Sequence, residues 1–177
     1  MAKLRLATVW LDGCSGCHMS FLDMDERLLE LADKVDVLYS PILDYKEFPK
    51  EVDVTLVEGS VSSEDDLTKI KKIRDRTKIL VSLGDCAVTG NVPAMRNIFP
   101  VKDVLERAYL ENAIGGSRVP DHVVPRLRKR VSPVHEVVHV DVFVPGCPPS
   151  ADTIHNTLTA LVEGRPPALL GETRFGK

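Results

Sequence analysis

The chain lacks the features that mark a membrane-spanning, secreted or nucleic-acid-binding protein. In its 177 residues no apolar run approaches the roughly 20 residues that a membrane-spanning helix needs. The N-terminus carries neither a signal-peptide pattern nor a twin-arginine leader. A formal net charge of −3 provides no global positive field that would attract nucleic acid or anionic lipid. We therefore expect a cytoplasmic protein without membrane or nucleic-acid partners.

Cysteine is scarce as well, with four residues in the chain. Structural disulfides are not expected, because the cytoplasm keeps thiols reduced. Four buried apolar side chains would be the simplest explanation, since free cysteine is among the most buried residue types. The positions of the four residues relative to the predicted strands argue against that explanation.

The apolar pattern predicts an α/β protein with an open, doubly wound, flavodoxin-like parallel sheet and helices on both faces. Near-continuous apolar strands that alternate with helical patterns are typical of a parallel sheet covered on both sides. We expect the strand order 2-1-3-4-5 and a single domain over residues 1–177. The five predicted strands are residues 5–11, 35–42, 52–61, 78–86 and 140–147.

Three further segments carry local signals. An amphipathic helix is predicted over residues 21–31, and a helix that begins at Glu64 has Ser62 or Ser63 as its N-cap. The last helix is predicted over residues 150–163.

The alternation of strands and helices breaks over residues 109–136, which contain three prolines and a basic run from Arg126 to Arg130. We expect an irregular insertion here. Long irregular segments are uncommon in compact domains and usually serve a function or contact a partner. A basic rim would favour docking of an acidic protein. A solvated basic loop without a specific role is the alternative.

All four cysteines lie at or shortly after the carboxyl ends of predicted strands. Cys14 and Cys17 form a C-x-x-C pair after the first strand, Cys86 ends the fourth, and Cys147 ends the fifth. The carboxyl ends of parallel strands meet at one edge of the sheet, where open α/β folds bind ligands. The sequence therefore predicts that the four thiols share one ligand site.

Three kinds of thiol chemistry are open at this point. Structural zinc sites usually contain two close pairs, whereas this chain has one pair and two distant single cysteines. A redox dithiol needs only the C-x-x-C and leaves Cys86 and Cys147 unexplained. The loose spacing, the glycines beside the cysteines and Pro148 after the last one favour a [4Fe–4S] cluster.

The motifs DGCSGC, VEGSV, LGDCAVTG and VPGCPPS, in this order, resemble those of the small subunit of [NiFe] hydrogenases. The similarity spans residues 4–163. Because it shows no leader pattern and no further C-terminal cysteines, the sequence most resembles the small subunit of the soluble, NAD-reducing type. The related subunit of NADH:quinone oxidoreductase has two adjacent cysteines at the first position, whereas Ser15 and Gly16 separate them here. One departure is Asn91, where the family often has a second glycine.

The resemblance implies that Cys14, Cys17, Cys86 and Cys147 hold the proximal [4Fe–4S] cluster. A large subunit would carry the Ni–Fe centre and split dihydrogen, while this chain, without a complete active site of its own, would relay electrons. Soluble iron–sulfur subunits of the diaphorase type, with FMN, would accept the electrons and reduce NAD. The alternatives are a subunit of an NADH:quinone oxidoreductase-like complex and a zinc-binding assembly module without redox turnover.

Two further expectations concern the partner and residues near the cysteines. Glu58, in VEGSV, matches a position that faces the large subunit in the family, so we expect it to project from the edge as an interface anchor or part of a proton path. A solvated carboxylate beside a turn glycine is the alternative. His18 is expected in the first turn of a helix and not as a ligand, and residues 93–100 are expected to join the interface.

Overall fold

A computed structural model describes residues 3–115, 118–169 and 171–173 of the chain. The described residues form seven strands: β1 (Leu4–Trp10), β2 (Val35–Tyr39), β3 (Val52–Glu58), β4 (Val61–Ser63), β5 (Thr77–Leu83), β6 (Leu127–Ser132) and β7 (Val142–Val144). They also form seven α-helices: α1 (Gly16–Leu22), α2 (Arg27–Ala32), α3 (Glu64–Asp75), α4 (Asp85–Thr89), α5 (Asn91–Ala94), α6 (Val101–Glu106) and α7 (Ala151–Val162).

Five strands form a parallel sheet in the order β2-β1-β3-β5-β7. This is the predicted order when the five parallel strands are counted along the chain. Apolar side chains fill both faces of the sheet. One cluster includes Phe21 of α1 and Leu158 of α7, and the other includes Ile70 and Ile73 of α3. The doubly wound α/β prediction is therefore confirmed.

The third parallel strand is shorter than its apolar run. The run predicts one strand over residues 52–61, but β3 ends at Glu58 and the chain turns at Gly59, whose φ is 88°. A Cβ on Gly59 would lie 2.8 Å from the carbonyl oxygen of Asp12. This close approach requires glycine and directs the following residues away from the sheet as β4.

The expectation of an irregular insertion over residues 109–136 is wrong in part. β6 pairs with β4 in a separate antiparallel ladder, and most of the basic run lies in this strand. A π-helical turn at Arg107–Glu111 extends α6 to the start of the segment. Charged side chains give β6 no apolar alternation, so only its pairing with β4 identifies it as a strand. Gly116 and Ser117 lie outside the described residues.

The helix boundaries agree with the capping signals better than with the apolar spacing. Residues 21–31 are divided between α1 and α2, with Asp25 at a positive φ between them, so one continuous helix there is wrong. α3 begins after Ser63, whose hydroxyl accepts from the Asp66 N–H, and α7 begins after Ser150 in the same way. None of the helices described is both long enough and apolar enough to cross a lipid bilayer.

We expect Ser63→Ala to lower the free energy of unfolding by about 1 kcal/mol, because it leaves the Asp66 N–H of α3 without its acceptor. Urea titration followed by circular dichroism measures the loss. Ser63→Thr keeps the hydroxyl acceptor and should retain most of the stability. An unfolding midpoint for Ser63→Ala equal to that of the unaltered chain would contradict the capping role.

Candidate metal centre

The first two cysteines lie where β1 passes into α1. After β1 the chain continues beside the end of β3, with Asp12 bridged to Ser60. Ser15 has a φ of 63° and starts α1, which places Cys17 in the first helical turn. The backbone N–H of Gly16 lies 3.4 Å from the Sγ of Cys14. Cys14 is exposed and Cys17 is buried, so the pair spans the boundary between core and surface.

Gly84 brings the loop after β5 against the C-x-x-C segment. Its φ is 82°, and a Cβ at this position would lie 2.2 Å from the Sγ of Cys17. Only glycine leaves this space for the thiol. Cys86 follows in the first turn of α4 and is half-buried.

Cys147 lies in the loop after β7 and is exposed. Its Sγ lies 3.5 Å from the side-chain amide nitrogen of Asn91. Asn91, which stands where the family often has glycine, therefore contacts a cysteine. Its φ is 32°, which lies in the left-handed region that glycine favours. The structure brings the loops of all four predicted ligands to the carboxyl edge, the edge at which the parallel strands end.

The four thiols are close enough to influence one another electrostatically. Burial is the main cause that raises the pKa of Cys17 well above its usual value, and the charges of Glu58 and the other cysteines add to it. Burial, with the charges of Cys14 and Cys147, raises the pKa of Cys86 to about 11. Four thiolates at this edge would repel one another unless positive charge lies among them. Bound metal ions supply such charge and deprotonate the thiols they coordinate.

The donor set fits a cluster of several iron ions. Four cysteine thiolates are the ligands of a [4Fe–4S] cluster, and each binds a different iron. Within residues 3–115, 118–169 and 171–173, no group of three or more His, Cys, Asp or Glu side chains has an arrangement that could hold a single metal ion.

Glu58 ends β3 at the same edge, but its side chain does not project outward as expected. It is only 2% exposed and accepts a hydrogen bond from the backbone N–H of His18 at 2.9 Å. Its carboxylate also lies 2.5 Å from the Nδ1 of His18. The solvated alternative is wrong, because the acid is turned inward beneath α1, where it holds the first helical turn.

His18 occupies the first turn of α1, as predicted. With Nδ1 directed to Glu58, its other ring nitrogen, Nε2, is buried and has no hydrogen-bond partner among the described residues. A buried nitrogen of this kind is costly unless a partner satisfies it.

Apolar side chains are exposed around the cysteine loops. Met95 and Ile98, in the 3-10 turn after α5, are 69% and 80% exposed, and Phe99 and Val92 are exposed beside them. Met19 of α1 is exposed next to the C-x-x-C pair. Apolar groups gathered in this way are typical of protein–protein interfaces. The region includes the predicted interface segment, residues 93–100.

Sequence reasoning missed two polar residues that join the cysteine loops. Asp85 precedes Cys86 and is 4% exposed, and Ser20 lies one turn after Cys17 and is 6% exposed. The available signal was an acidic residue placed between a buried strand and a cysteine, in LGDC. Buried carboxylates are rare unless hydrogen bonds compensate their desolvation.

Residues 14–161 match the protein family described as NADH ubiquinone oxidoreductase, 20 kDa subunit. The delta subunit of the NAD-reducing hydrogenase HoxS of Cupriavidus necator is 48% identical over 169 residues, 93% of this chain and 81% of that protein. A subunit of the F420-non-reducing hydrogenase of Methanothermobacter marburgensis is 38% identical over 168 residues. Those residues are 92% of this chain but 54% of that protein, so the chain spans about half of the longer relative.

Solved structures show the same relationship. A chain of an NAD+-reducing [NiFe]-hydrogenase in the H2-reduced state has a TM-score of 0.94 and 42% identity, over 98% of this chain and 99% of that chain. A chain of the [NiFeSe]-hydrogenase of Dm. baculatum has a TM-score of 0.60 at 20% identity, over 92% of this chain and 63% of that chain. The second likeness shows a shared fold only.

Proposed function

We propose that this chain, which belongs to the NADH ubiquinone oxidoreductase 20 kDa subunit family and within it to the hydrogenase small subunits, is the electron-transferring subunit of an NAD-reducing [NiFe] hydrogenase. One observation carries the proposal. Three loops with four cysteines meet at the carboxyl edge of a chain that matches an NAD+-reducing [NiFe]-hydrogenase chain over nearly its whole length. The two relatives from Cupriavidus necator and Methanothermobacter marburgensis are hydrogenase subunits, which agrees with the separated C-x-x-C pair.

Cys14, Cys17, Cys86 and Cys147 would bind one [4Fe–4S] cluster through their thiolates. When bound, such a cluster supplies a site that takes up and releases single electrons. The chain contributes the shape and polarity around the sulfur atoms. The N–H groups of Gly16 and Val92 donate to the sulfur atoms of Cys14 and Cys86. Hydrogen bonds of this kind stabilise negative charge on sulfur and tune a cluster's potential.

A large subunit with the Ni–Fe centre would cover the carboxyl edge. The exposed Met95, Ile98 and Phe99 would then be buried against it. Stable interfaces of this obligate kind bury roughly 2,000 Å² or more and are more apolar than transient ones. Hydrogen activation would belong to the partner's metals, and this chain would remove the electrons.

The first test is metal analysis of the anaerobically purified chain together with its co-purifying subunits. We expect about four irons per copy of this chain and a paramagnetic signal on reduction. Cys86→Ser should lose or convert the cluster, because a hydroxyl oxygen is a poor substitute for a soft thiolate. Met19→Leu, beside Cys17 but without a thiol change, is the matched control and should keep its iron. About one zinc per chain, without iron, would instead support the zinc-binding module.

We propose Glu58 as a proton-path residue under α1, because a carboxylate that is 2% exposed does not reach a partner's surface as an interface anchor would. Glu58→Gln keeps an oxygen that can accept from the His18 N–H, so we expect unchanged iron content. It loses the carboxylate, and hydrogen-dependent dye reduction by the complex should fall by about ten-fold or more. Glu58→Ala separates a structural role of Glu58 from a role in turnover. If it lowers only the melting temperature while Glu58→Gln has full turnover, the residue is structural.

The electron acceptor is proposed to be a soluble iron–sulfur subunit of the diaphorase type, with FMN and NAD bound elsewhere in a cytoplasmic complex. Residues 118–130 contain five basic residues and one acidic residue in a chain whose net charge is −3. Among the described residues, neither Lys129 nor Arg130 takes part in an ion pair, and both are exposed. An acidic partner surface would be attracted to this strand.

A groove lies beside the basic strand and adds apolar contact area. Its volume is about 750 Å³, and it runs between α6 with its π-helical turn and the segment that leads into β6. Leu105, Tyr109 and Val124 line it. Its charged lining consists of three basic side chains, which include Lys129, and the acidic Glu106 and Asp121. An apolar groove whose charged lining is mostly basic suits a protein segment that combines apolar and acidic side chains.

Reversal of two charges of the basic strand β6 tests this contact in the purified complex. The double variant Lys129→Glu, Arg130→Glu should lower hydrogen-dependent NAD reduction several-fold and leave dye reduction unchanged, because only docking of the acceptor is weakened. The same charge change in Lys71→Glu, Lys72→Glu, on the exposed face of α3, is the control. Equal NAD reduction by both double variants would place the contact elsewhere.

A further inference from the structure

The loops that carry Cys86 and Cys147 are joined by Asp85. Its Oδ1 accepts a hydrogen bond from the backbone N–H of Gly146 at 2.7 Å, and its own N–H donates to the Gly146 carbonyl at 2.8 Å. The N–H of Gly84 donates to the Val144 carbonyl at 2.8 Å, which continues the β5–β7 pairing to this point. The carboxylate therefore links the residue before Cys86 to the residue before Cys147.

A second contact joins the C-x-x-C helix to the same loop. The Ser20 hydroxyl donates to the carbonyl of Pro149 at 2.5 Å, in a buried position. Cys17 and Ser20 share α1, while Pro149 lies two residues after Cys147. The Cys147 loop is thus held from both sides, by Asp85 of one cysteine loop and by Ser20 of the other.

We propose that Asp85 and Ser20 are positioning residues for the metal centre, which set the place of the Cys147 thiol relative to Cys86 and Cys17. This inference rests on the proposed cluster. The parallel ladder fixes the strands, but β7 ends at Val144, before the loop that carries the cysteine. Gly146 has a φ of 146°, and a Cβ there would lie 2.6 Å from the backbone of Pro149. This tight loop needs an outside acceptor for the Gly146 N–H, and Asp85 provides it.

The chemistry of Asp85 suits this role. A carboxylate that accepts from a backbone N–H forms a charge-assisted hydrogen bond, which is stronger than a neutral one. Burial makes its loss costly, because the Gly146 N–H would be left desolvated and unpaired. Groups that orient metal ligands in this indirect way typically change metal affinity 10–100-fold when they are removed.

Asp141 offers a matched control at the other end of the same strand pair. It directly precedes β7, and its Oδ2 accepts from the Leu80 N–H of β5 at 2.7 Å, while Arg74 pairs with it. Like Asp85, it joins β5 to the β7 region through a backbone N–H. Unlike Asp85, it lies at the end of the sheet opposite to the cysteines.

The experiment compares variants in the anaerobically purified complex, with iron measured per folded chain and release of iron to a chelator measured over time. Asp85→Ala should release iron about ten-fold faster than the unaltered chain and broaden the paramagnetic signal of the reduced state. Asp85→Asn should restore slow release, because its amide oxygen accepts the same bond. Asp141→Ala should lower the melting temperature but release iron at the normal rate.

Ser20→Ala keeps the test decisive if Asp85→Ala does not fold. It removes the bond to Pro149 with a small change in volume, and accelerated iron release is expected. The proposal is overturned if the variant that folds releases iron at the normal rate, or if Asp141→Ala at an equal loss of melting temperature releases iron equally fast. Absence of iron from the unaltered complex would contradict the proposed function itself. Failure of the positioning proposal and failure of the proposed function are therefore distinguishable.

Discussion

Parallel pairing is the constraint on which the rest of this structure depends. Because β1, β3, β5 and β7 all run in one direction, their carboxyl ends meet at one edge. Cysteine loops follow three of these strands, and Glu58 ends the fourth, so residues far apart in the chain become neighbours there. The apolar faces that α1, α3 and α7 cover stabilise the sheet, and the sheet in turn fixes where each loop begins.

The gathered cysteines favour neutral thiols over thiolates as long as no positive charge lies among them. Burial and mutual repulsion raise the pKa values of Cys17 and Cys86, so the thiolate forms are unfavourable before metal binds. A metal bound at this proposed site would contribute folding free energy, because the unfolded chain has no such site. Under the same proposal, the bonds from Asp85 and Ser20 would organise the loops in advance and lower the entropy cost of metal binding.

Two kinds of exposed surface lie next to each other, because the turn that carries Met95 and Ile98 is hydrogen-bonded to β6 through Asn97. The exposed apolar side chains around Met95 and Ile98 lie beside the cysteine loops, which fits a permanent apolar interface. The basic strand β6 and its groove offer charge and a smaller apolar contact, which fits an interface tuned by electrostatics.

The strand order and the meeting of the cysteine loops were predicted from the arrangement that doubly wound parallel sheets share. Local patterns in the sequence predicted the strands of the sheet and the capped start of α3, because apolar periodicity and capping act over a few neighbouring residues. They did not reveal β6, whose charged residues become a strand through pairing with β4. Nor did they show the inward turn of Glu58 or the bond from Asp85 to Gly146, which join residues 40 and 61 positions apart. These contacts arise in the folded chain alone, because hydrogen bonds between distant segments leave no periodic pattern in the sequence.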